Sequence, residues 1–449
     1  MLTTERVKSR FMEYYAALGH VCLPSGSLLP KDDPTLLFIN STMARFKAAY
    51  SGQDMPESTK IATFQPCLRV GGQPTLYETE HALADVGRGQ SLTLFEQVGT
   101  CAFGAYSRSE AIEYIWSLLT NELCLDKRNI WITVYEKDEE TLKVWEKLGI
   151  NKEQIVILGA SHWWRIEPVG ICGPCTHFVY DLGKSYGCGN VRCGPTCTCG
   201  RFLDLGDCVF LDQMCNAFGE IHRLPKLNID CALGLERVAI VLENVSSIFE
   251  ISSFRPILYR IQDLSQTKYG SDPNKDIAMR AISDHVRCLT FSISDGIYPA
   301  NTDRGYVLRR VLRHAVRCGW VLGLKEPFLH ELVDAVIVTM SEGYPSLMKS
   351  RDVCHQIILE EELRFSKALS RGLKEFHKMV AKLRSEEERS LSGSDIFRLY
   401  DTFGFPIEFL QILTAELGIQ LDENRFEELL EQRRRDSRKV WEKRALLNQ

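Results

Sequence analysis

The sequence lacks the features that would place it in a membrane, in a bulk nucleic-acid coat or among disordered chains. No apolar run approaches the ~20 residues that span a bilayer, and Met1–Arg6 opens without the hydrophobic stretch of a signal peptide. The 54 Lys and Arg do not outnumber the 59 Asp and Glu, so the net charge is −5. With 45% hydrophobic and 25% charged residues and no repeats, the chain is typical of globular proteins. We therefore expect a cytoplasmic protein with no membrane partner, in which a local basic face can still exist.

Cysteine, in contrast, is abundant, with 16 residues of which eight lie between Cys172 and Cys215. Four of these, Cys188, Cys193, Cys197 and Cys199, fall within 12 residues separated by Gly and Pro, in the insert 187–200. Four thiolates at such spacing suit tetrahedral Zn(II). The alternative is a loop with free or disulfide-bonded thiols. Lone cysteines elsewhere, such as Cys22, Cys67, Cys124 and Cys354, are expected to be small buried hydrophobic residues.

The pattern of apolar residues divides the chain near residue 245. Residues 1–245 mix strand and helix patterns, whereas residues 246–449 are dominated by helix patterns. This predicts an α+β domain followed by an all-α domain, within the two to four domains that 449 residues allow. Predicted strands are Pro34–Asn40, Ile61–Val70, Leu92–Phe95, Ile130–Tyr135, Ile155–Leu158 and Arg201–Met214. Predicted helices include Arg6–Leu18, Ser109–Leu123, Glu139–Leu148, Asn274–Ser294, Gly305–Leu322, Pro327–Ser341, Ser350–Leu383, Pro406–Leu417 and Glu423–Leu447.

Two segments of the first half place charged residues where strands end. Arg69 follows a strand and precedes a Gly-Gly turn, and the returning strand carries Phe95. An arginine there can hold a phosphate bidentately, and an aromatic ring can stack on a base. Asp230 ends a strand and is followed by small residues, and Arg237 lies in the segment 234–237, where a helix begins. A carboxylate at Asp230 can hold an ammonium group; the alternative for an isolated arginine is a surface salt bridge.

A third segment, 304–317, predicts a basic amphipathic helix. Its cations include Arg309, Arg310, Arg313 and Arg317, with apolar residues between them. In a chain of net charge −5, this local basic face can contact a phosphate backbone. A charged surface helix is an equally simple interpretation.

The chain resembles the alanyl-tRNA synthetase family of class II aminoacyl-tRNA synthetases, over about residues 5–437. The segments that carry the resemblance are 33–38 (DPTLLF), 67–72 (CLRVGG), 172–176 (CGPCT), 234–237 (GLER), 304–310 (RGYVLRR) and 397–406 (FRLYDTFGFP). The resemblance implies an antiparallel catalytic sheet flanked by helices. It also implies attack of an amino-acid carboxylate on the α-phosphate of ATP, with Mg(II). Such catalysis depends mostly on positioning and charge neutralisation.

The resemblance also implies roles for individual residues. Arg69 corresponds to the arginine that binds the α-phosphate, Arg237 to the one that binds the γ-phosphate, and Phe95 to the platform for adenine. In the amino-acid site, Trp164 corresponds to the family's tryptophan and Asp230 to the aspartate that holds the substrate ammonium. On the tRNA side, Arg309, Arg310 and Arg313 are expected to contact the backbone, and Asp401 corresponds to an aspartate that helps to read the acceptor stem.

Several positions depart from the family pattern. Asp207 follows Gly206 where the family has Trp-Asn, and Ala232 replaces a glycine of the amino-acid site. His177 replaces a glutamate, and Arg88 is expected to substitute for a missing Arg-His-His segment that contacts ATP. Asp303 replaces the asparagine that reads the acceptor-stem wobble pair, and it has lost the donor of the amide. These changes leave the amino acid and its acceptor open.

Three functions follow. The first is activation of an amino acid, most simply alanine, and its transfer to tRNA. The second is activation followed by transfer to a small molecule, a peptide or a carrier protein in a biosynthetic pathway. The third is a non-catalytic tRNA-binding paralogue, against which the retained Arg69, Asp230 and Arg237 count. The sequence shows neither the editing motifs nor the C-terminal oligomerisation domain of the family, so we expect a monomer and a minimal synthetase or a paralogue.

Overall fold

A computed structural model describes residues 3–435, apart from 32, 34, 71–82, 84, 166–168, 386–388, 404, 406 and 434. The predicted turn at Gly71-Gly72 and part of the 397–406 segment therefore lie outside the described residues. Across the part of the chain that is described, no helix is both long and apolar enough to cross a membrane.

The first half is built on a mixed sheet in which antiparallel pairs predominate. The spatial order is β1-β2-β3-β9-β8-β7-β4-β5, and β6 pairs with β7; only β1 with β2 and β4 with β5 are parallel. The strands are β1 (Val21–Leu23), β2 (Lys60–Leu68), β3 (Leu94–Phe103), β4 (Ile130–Tyr135), β5 (Ile155–Leu158), β6 (Trp163–Arg165), β7 (Gly170–Asp181), β8 (Phe202–Cys215) and β9 (Ile221–Gly234).

Helices cover this sheet and then continue as a helical second half. The described helices of eight or more residues are α1 (Thr4–Ala17), α2 (Arg108–Ser117), α3 (Glu139–Lys147), α4 (Leu235–Glu243), α5 (Arg255–Ser265), α6 (Pro273–Ser294), α7 (Asp303–Val321), α8 (Val333–Met340), α9 (Arg351–Ser385), α10 (Gly393–Phe403) and α11 (Ile407–Leu417). Residues 423–433 are also helical, and two short strands, β10 (Ser390–Leu391) and β11 (Gln420–Leu421), pair in this half. The predicted antiparallel sheet followed by helices is therefore confirmed.

Most predicted elements are found, and α1 shows why. Its apolar residues Val7, Phe11 and Tyr15 recur at helical spacing and are at most 2% exposed, and the Thr3 hydroxyl caps its first turn. Buried residues on both sides of position 245 pack into one continuous hydrophobic cluster. The change from sheet to helices is thus real, while the division into domains at residue 245 stays a prediction.

The predicted strand at Pro34–Asn40 is wrong, because the described residues 35–40 form a loop. Two carbonyl groups of that loop, those of Leu36 and Leu37, accept hydrogen bonds from the guanidinium of Arg304 at the start of α7. A distant arginine thus satisfies the backbone groups that a neighbouring strand would otherwise bind. The loop and the basic helix are therefore fastened together.

The expected burial of the lone cysteines holds for only part of the set. Cys67 and Cys354 are fully buried, whereas Cys22 and Cys124 are exposed. Cys22 lies on the edge strand β1, and Cys124 occupies a turn with a φ of 54°. The apolar residues around a cysteine in the sequence therefore did not show whether that cysteine lies in the core or at an exposed edge or turn.

Candidate active site

One face of the central sheet carries the residues of a cleft of about 430 Å³. Side chains alternate along a strand, so residues two apart share a face. The strand register aligns Gly99 of β3 with Ala232 of β9, and Ala232 in turn with Asp207 of β8. Asp230 lies two residues before Ala232 on the same face. The predicted residues that line the cleft are Arg69, Phe95, Asp207, Ala232 and Arg237.

A bulge in β8 explains why two aspartates of that strand reach the cleft. Asp204 pairs with Val179, and Gly206 pairs with Phe178, so one residue of β8 is extra. Gly206 has a φ of 152°, and a Cβ there would lie 2.0 Å from the carbonyl oxygen of Ala232. Glycine is therefore required at this position. The shift in alternation places both Asp204 and Asp207 along the cleft.

Arg69 and Phe95 form the end of the cleft nearest to β2. The guanidinium carbon of Arg69 lies 4.9 Å from the centroid of the Phe95 ring, and Arg69 Nε donates to the carbonyl oxygen of Asn40 at 2.9 Å. The backbone N–H of Arg69 donates to Thr93, which extends the pairing of β2 with β3. The guanidinium is thus held in one orientation beside an aromatic face.

Arg237 supplies a second cation from the first turn of α4. Its Nη1 donates to the carbonyl oxygen of Asp204 at 2.8 Å and lies 3.9 Å from the Asp204 carboxylate. About 42% of its side chain remains exposed, so it can still accept an anionic ligand. The cleft therefore carries two guanidinium groups that project from different elements.

His177 of β7 adds a third cation. Its Nδ1 donates to Asp204 Oδ2 at 3.2 Å, and its Nε2 lies 3.5 Å from Cys175 Sγ. Burial opposes the charged form of His177, but its hydrogen bonds with Asp204 and Cys175 and the charges of Asp207 and Asp204 together raise the pKa of His177 to about 11. Burial likewise opposes ionisation of Asp204, yet His177, Arg237 and the backbone N–H of Gly206 together hold the pKa of Asp204 below the usual value. At neutral pH the two form an imidazolium–carboxylate pair.

Asp230 marks the deep end of the face that carries the cleft and is 4% exposed. Its Oδ1 accepts hydrogen bonds from the Tyr50 hydroxyl at 3.2 Å and from Cys101 Sγ at 3.7 Å. Burial, and then the charge of Asp207, raise the pKa of Asp230 to about 8. Trp164 packs against the apolar cluster that contains Tyr50 and Cys101, so it lies beside this end rather than in the lining of the cleft.

Arg88, also expected at the nucleotide, is exposed and is not among the residues that line the cleft. Sequence reasoning in turn did not assign Asp204 to the site. Gly206, two residues later, could have indicated that Asp204 reaches the cleft, because a glycine inside a strand often marks a bulge. His177 was noticed only as a departure, because its pairing with Asp204 depends on that bulge.

A buried network of charged side chains packs behind the strand that carries Phe95. The Glu236 carboxylate accepts from the backbone N–H of Glu96 at 2.9 Å and from Arg287 Nη2 of α6 at 2.7 Å. Glu96 in turn binds Lys8 Nζ at 2.6 Å and the Tyr344 hydroxyl at 2.7 Å. All five groups are buried or nearly so. Helices from both halves of the chain therefore fix the strand that carries Phe95.

The four cysteines of the insert converge as predicted. The sulfur atoms of Cys188, Cys193, Cys197 and Cys199 all lie within 4.8 Å of one another. With Zn–S bonds of about 2.3 Å, a tetrahedral site separates its sulfurs by about 3.8 Å. The separations of 3.8 Å for Cys188–Cys197 and 3.6 Å for Cys193–Cys199 fit this value. The donor set therefore suits Zn(II).

The arginines of α7 are less open than the sequence implied. Arg309 Nε lies 2.7 Å from Glu361 of α9, and Arg313 Nη2 lies 4.0 Å from the same carboxylate. Arg309 is 12% exposed, Arg313 is 38% exposed, and Arg310 stacks over Tyr306 at 5.7 Å. Glu361 thus neutralises much of the charge that the sequence assigned to a free basic face.

The two acidic residues expected at the acceptor are both on the surface. Asp303 is exposed at the start of α7 with a φ of 54°, a conformation that Asp and Asn tolerate better than most residues. Asp401 of α10 accepts a hydrogen bond from Arg433 Nε at 3.2 Å. Asp401 and Arg433 also act electrostatically on Tyr306, one turn beyond Asp303. These elements therefore approach one another at the start of α7.

Comparison with known proteins gives consistent matches. The family model described as "tRNA synthetases class II (A)" matches residues 6–449. The chain is 37% identical to the alanine–tRNA ligase of Thermoanaerobacter sp. (strain X514), over 98% of this chain and 50% of that protein. It is 39% identical to the alanine–tRNA ligase of Desulforudis audaxviator (strain MP104C), over 98% and 49% respectively. Among solved structures, apo histidyl-tRNA synthetase of S. aureus covers 56% of this chain and 71% of its own, with 12% identity and a TM-score of 0.33. The chain spans about half the length of the curated relatives it matches.

Proposed function

Because the chain belongs to the class II (A) tRNA synthetases, we propose that it activates an amino acid with ATP and transfers the aminoacyl group to tRNA. The observation that carries this proposal is the cleft itself. It gathers two guanidinium groups and an aromatic ring, and the carboxylates of Asp207 and Asp230 lie on the same face of the sheet. The cations and the ring suit a nucleotide triphosphate, and the two carboxylates suit the ammonium group of an amino acid.

The proposed reaction is a displacement at phosphorus. A carboxylate oxygen of the amino acid attacks the α-phosphorus of ATP, the bond to the bridging oxygen breaks, and pyrophosphate leaves. Charge that develops on the α-phosphate of the transferred adenylyl group is neutralised by Arg69, and the outer phosphates are held by Arg237. Preorganised cations of this kind contribute to rate because they need not reorient during the reaction. Phe95 would stack on the adenine, with Arg69 at its face.

Mg(II) is expected to arrive with the nucleotide, because Mg(II) is commonly bound through substrate phosphates and a few carboxylates. The carboxylates of Asp204 and Glu236 in the cleft are already bound to His177, Arg237 and Arg287. Zn(II) would be held by Cys188, Cys193, Cys197 and Cys199, where it would stabilise the insert rather than take part in the reaction.

For the acceptor, tRNA is the first candidate, through Arg310, Arg313 and the surface that Asp303 and Asp401 share. Phosphate contacts would position the tRNA, and base-edge contacts at Asp303 would be weakened by the loss of an amide donor. A second candidate is transfer to a small molecule, a peptide or a carrier protein. The pairing of Arg309 and Arg313 with Glu361 favours it, because charge already neutralised attracts a polyanion less strongly.

Two measurements test these proposals in sequence. ATP–pyrophosphate exchange across the amino acids tests activation, and an acceptor assay with tRNA follows for each amino acid that exchanges. Exchange with tRNA charging supports the first candidate. Exchange without charging of any tRNA contradicts it and supports the second. No exchange with any amino acid contradicts activation altogether and supports a non-catalytic paralogue.

A further inference from the structure

We propose that the amino acid activated at this cleft carries a second cationic group, which pairs with Asp207 while its α-ammonium pairs with Asp230. This inference rests on the proposed function, because it concerns the amino-acid end of the same cleft. The substrate class is a short α-amino acid with an amine on its side chain. Asp207 is then the residue that determines specificity between this class and neutral amino acids of equal size.

The first observation is an incompletely satisfied carboxylate at Asp230. The residue is 4% exposed, and its Oδ1 accepts from Tyr50 and Cys101. Its Oδ2 accepts no hydrogen bond from any residue that the structure describes. This oxygen is therefore available to a donor from a ligand. A substrate ammonium supplies one.

The second observation is independent and concerns Asp207. Within the described part of the chain, its carboxylate makes no side-chain hydrogen bond and no ion pair, although it is half-buried and lines the cleft. Its neighbour Asp204 differs, since it is bound by His177 and lies close to Arg237. His177 and Arg69 act on Asp207 through their charge only, so its carboxylate faces the cleft without a direct partner among the described residues.

A neutral amino acid leaves one of these two carboxylates without a direct cationic partner. Asp207 and Asp230 share the amino-acid site, while such a substrate brings a single ammonium group. Burial raises the pKa of Asp207 although the charges of His177 and Arg69 lower it, and burial and then the charge of Asp207 raise the pKa of Asp230. A second ammonium group on the substrate supplies the missing direct partner.

The spacing of the two aspartates limits the length of the side chain. Asp207 lies opposite Ala232, and Asp230 lies two residues before Ala232, so the two aspartates are diagonal neighbours. Diagonal neighbours in an antiparallel pair are about 7–8 Å apart. Carboxylates on diagonal neighbours therefore favour two amines that are close together, separated by two or three carbon atoms. This corresponds to α,β-diaminopropionate and α,γ-diaminobutyrate.

The test compares amino acids of equal size in ATP–pyrophosphate exchange with the full chain. The pairs are α,γ-diaminobutyrate with norvaline, and α,β-diaminopropionate with α-aminobutyrate. We expect kcat/KM to be at least tenfold higher for one diamino acid than for its neutral counterpart. In the Asp207→Asn variant we expect the ratio of the two kcat/KM values to fall at least tenfold, whatever the absolute rates. A neutral amino acid that equals or exceeds its diamino counterpart in the unmodified chain would overturn the inference.

Thermal unfolding would show whether Asp207→Asn has a folding defect. A second variant tests the inference independently of such a defect. Asp207→Glu keeps the charge and moves it one methylene into the cleft. We expect it to retain the preference for diamino acids and to shift that preference from α,γ-diaminobutyrate toward the shorter α,β-diaminopropionate. An unchanged ratio in both variants would contradict a role for Asp207 in specificity. Exchange that is absent for every amino acid would instead contradict the proposed function, and the inference with it.

Discussion

The cleft and helix α7 look alike in the sequence, since each joins several arginines to a segment typical of the family, but they differ in the structure. In the cleft, Arg69 and Arg237 are oriented mainly by backbone carbonyl groups, so their charge remains available. In α7, Arg309 and Arg313 lie against the buried Glu361, a carboxylate that is 2% exposed. An arginine held by carbonyls is therefore ready to bind an anion, whereas an arginine held by a carboxylate is already compensated.

The largest effect on activity is expected at Arg69, and it tests whether an arginine held by carbonyl groups binds the nucleotide. In Arg69→Ala, the cation beside the α-phosphate is lost, and we expect ATP–pyrophosphate exchange to fall by about a thousandfold or more, in line with the loss of a charge-stabilising donor. The control is Arg128→Ala, since Arg128 is a surface residue whose side chain is 87% exposed. Exchange at the normal rate in Arg69→Ala would mean that the cleft is not the site of activation.

A second prediction concerns the other side of the comparison. In Glu361→Gln, the carboxylate shared by Arg309, Arg313 and Arg364 is lost, and three guanidinium groups are left close together. Because removing one partner of a buried ion pair leaves uncompensated charge, we expect the free energy of unfolding to fall by about 3 kcal/mol. Chemical denaturation measures this value. The control is Glu139→Gln, whose side chain is 81% exposed.

The Glu361→Gln variant also tests whether tRNA is the acceptor. If α7 contacts tRNA, Glu361→Gln should tighten tRNA binding and steepen its dependence on salt, because additional cations become available to the phosphates. Unchanged binding, measured in a variant that is still folded at the assay temperature, would argue that α7 is a structural helix. Such a result would favour an acceptor other than tRNA.

A smaller effect is expected from pH at the amino-acid end of the cleft. The pKa of Asp230 is raised to about 8, so its folded state favours the neutral acid. The stability that this group contributes is fully present below its unfolded pKa, near 3.9, and is lost as the pH rises toward about 8. We therefore expect Asp230→Asn to be more stable than the unmodified chain at pH 8 without substrate.

The two proteins should approach equal stability near pH 4, and thermal unfolding across that interval measures the trend. A constant difference at all pH values would mean that the carboxylate of Asp230 does not titrate in the folded state. Addition of an amino acid that exchanges should reduce the difference at pH 8, because its ammonium group compensates the charge.

Local patterns in the sequence were enough to predict most of the fold. Helix α1 follows from apolar residues at helical spacing, and β4 and β5 have the predicted bounds. Strands β3 and β9 extend beyond the predicted Leu92–Phe95 and beyond the predicted end at Asp230. The strand predicted at Pro34–Asn40 failed because Arg304, far away in the chain, satisfies its carbonyl groups. A guanidinium that is distant in the chain here replaces the N–H groups of a neighbouring strand, and the local sequence does not indicate this.

The site shows the same limit. Arg69, Phe95, Asp230 and Arg237 were identified through a family resemblance, and the structure places three of them around one cleft. Asp204 was missed because it reaches the cleft through a bulge, which alters the alternation of β8 by one residue. The compensation of Arg309 by Glu361 was missed as well, because the two residues are 52 positions apart. Both depend on tertiary pairing rather than on local pattern.

The smallest effect on stability is expected at the cysteine insert. Unlike the cleft and α7, this site involves neither the core nor a row of arginines. Its four cysteines are exposed or only partly buried, so a metal there should stabilise the insert locally. We expect about one equivalent of zinc by metal analysis, lost when Cys197 and Cys199 are both replaced by Ser. Because the sheet is buried independently of these residues, the free energy of global unfolding should change by about 1 kcal/mol or less. Loss of the whole fold in this variant would show instead that the metal supports the catalytic sheet, and retention of zinc would show that it binds elsewhere in the chain.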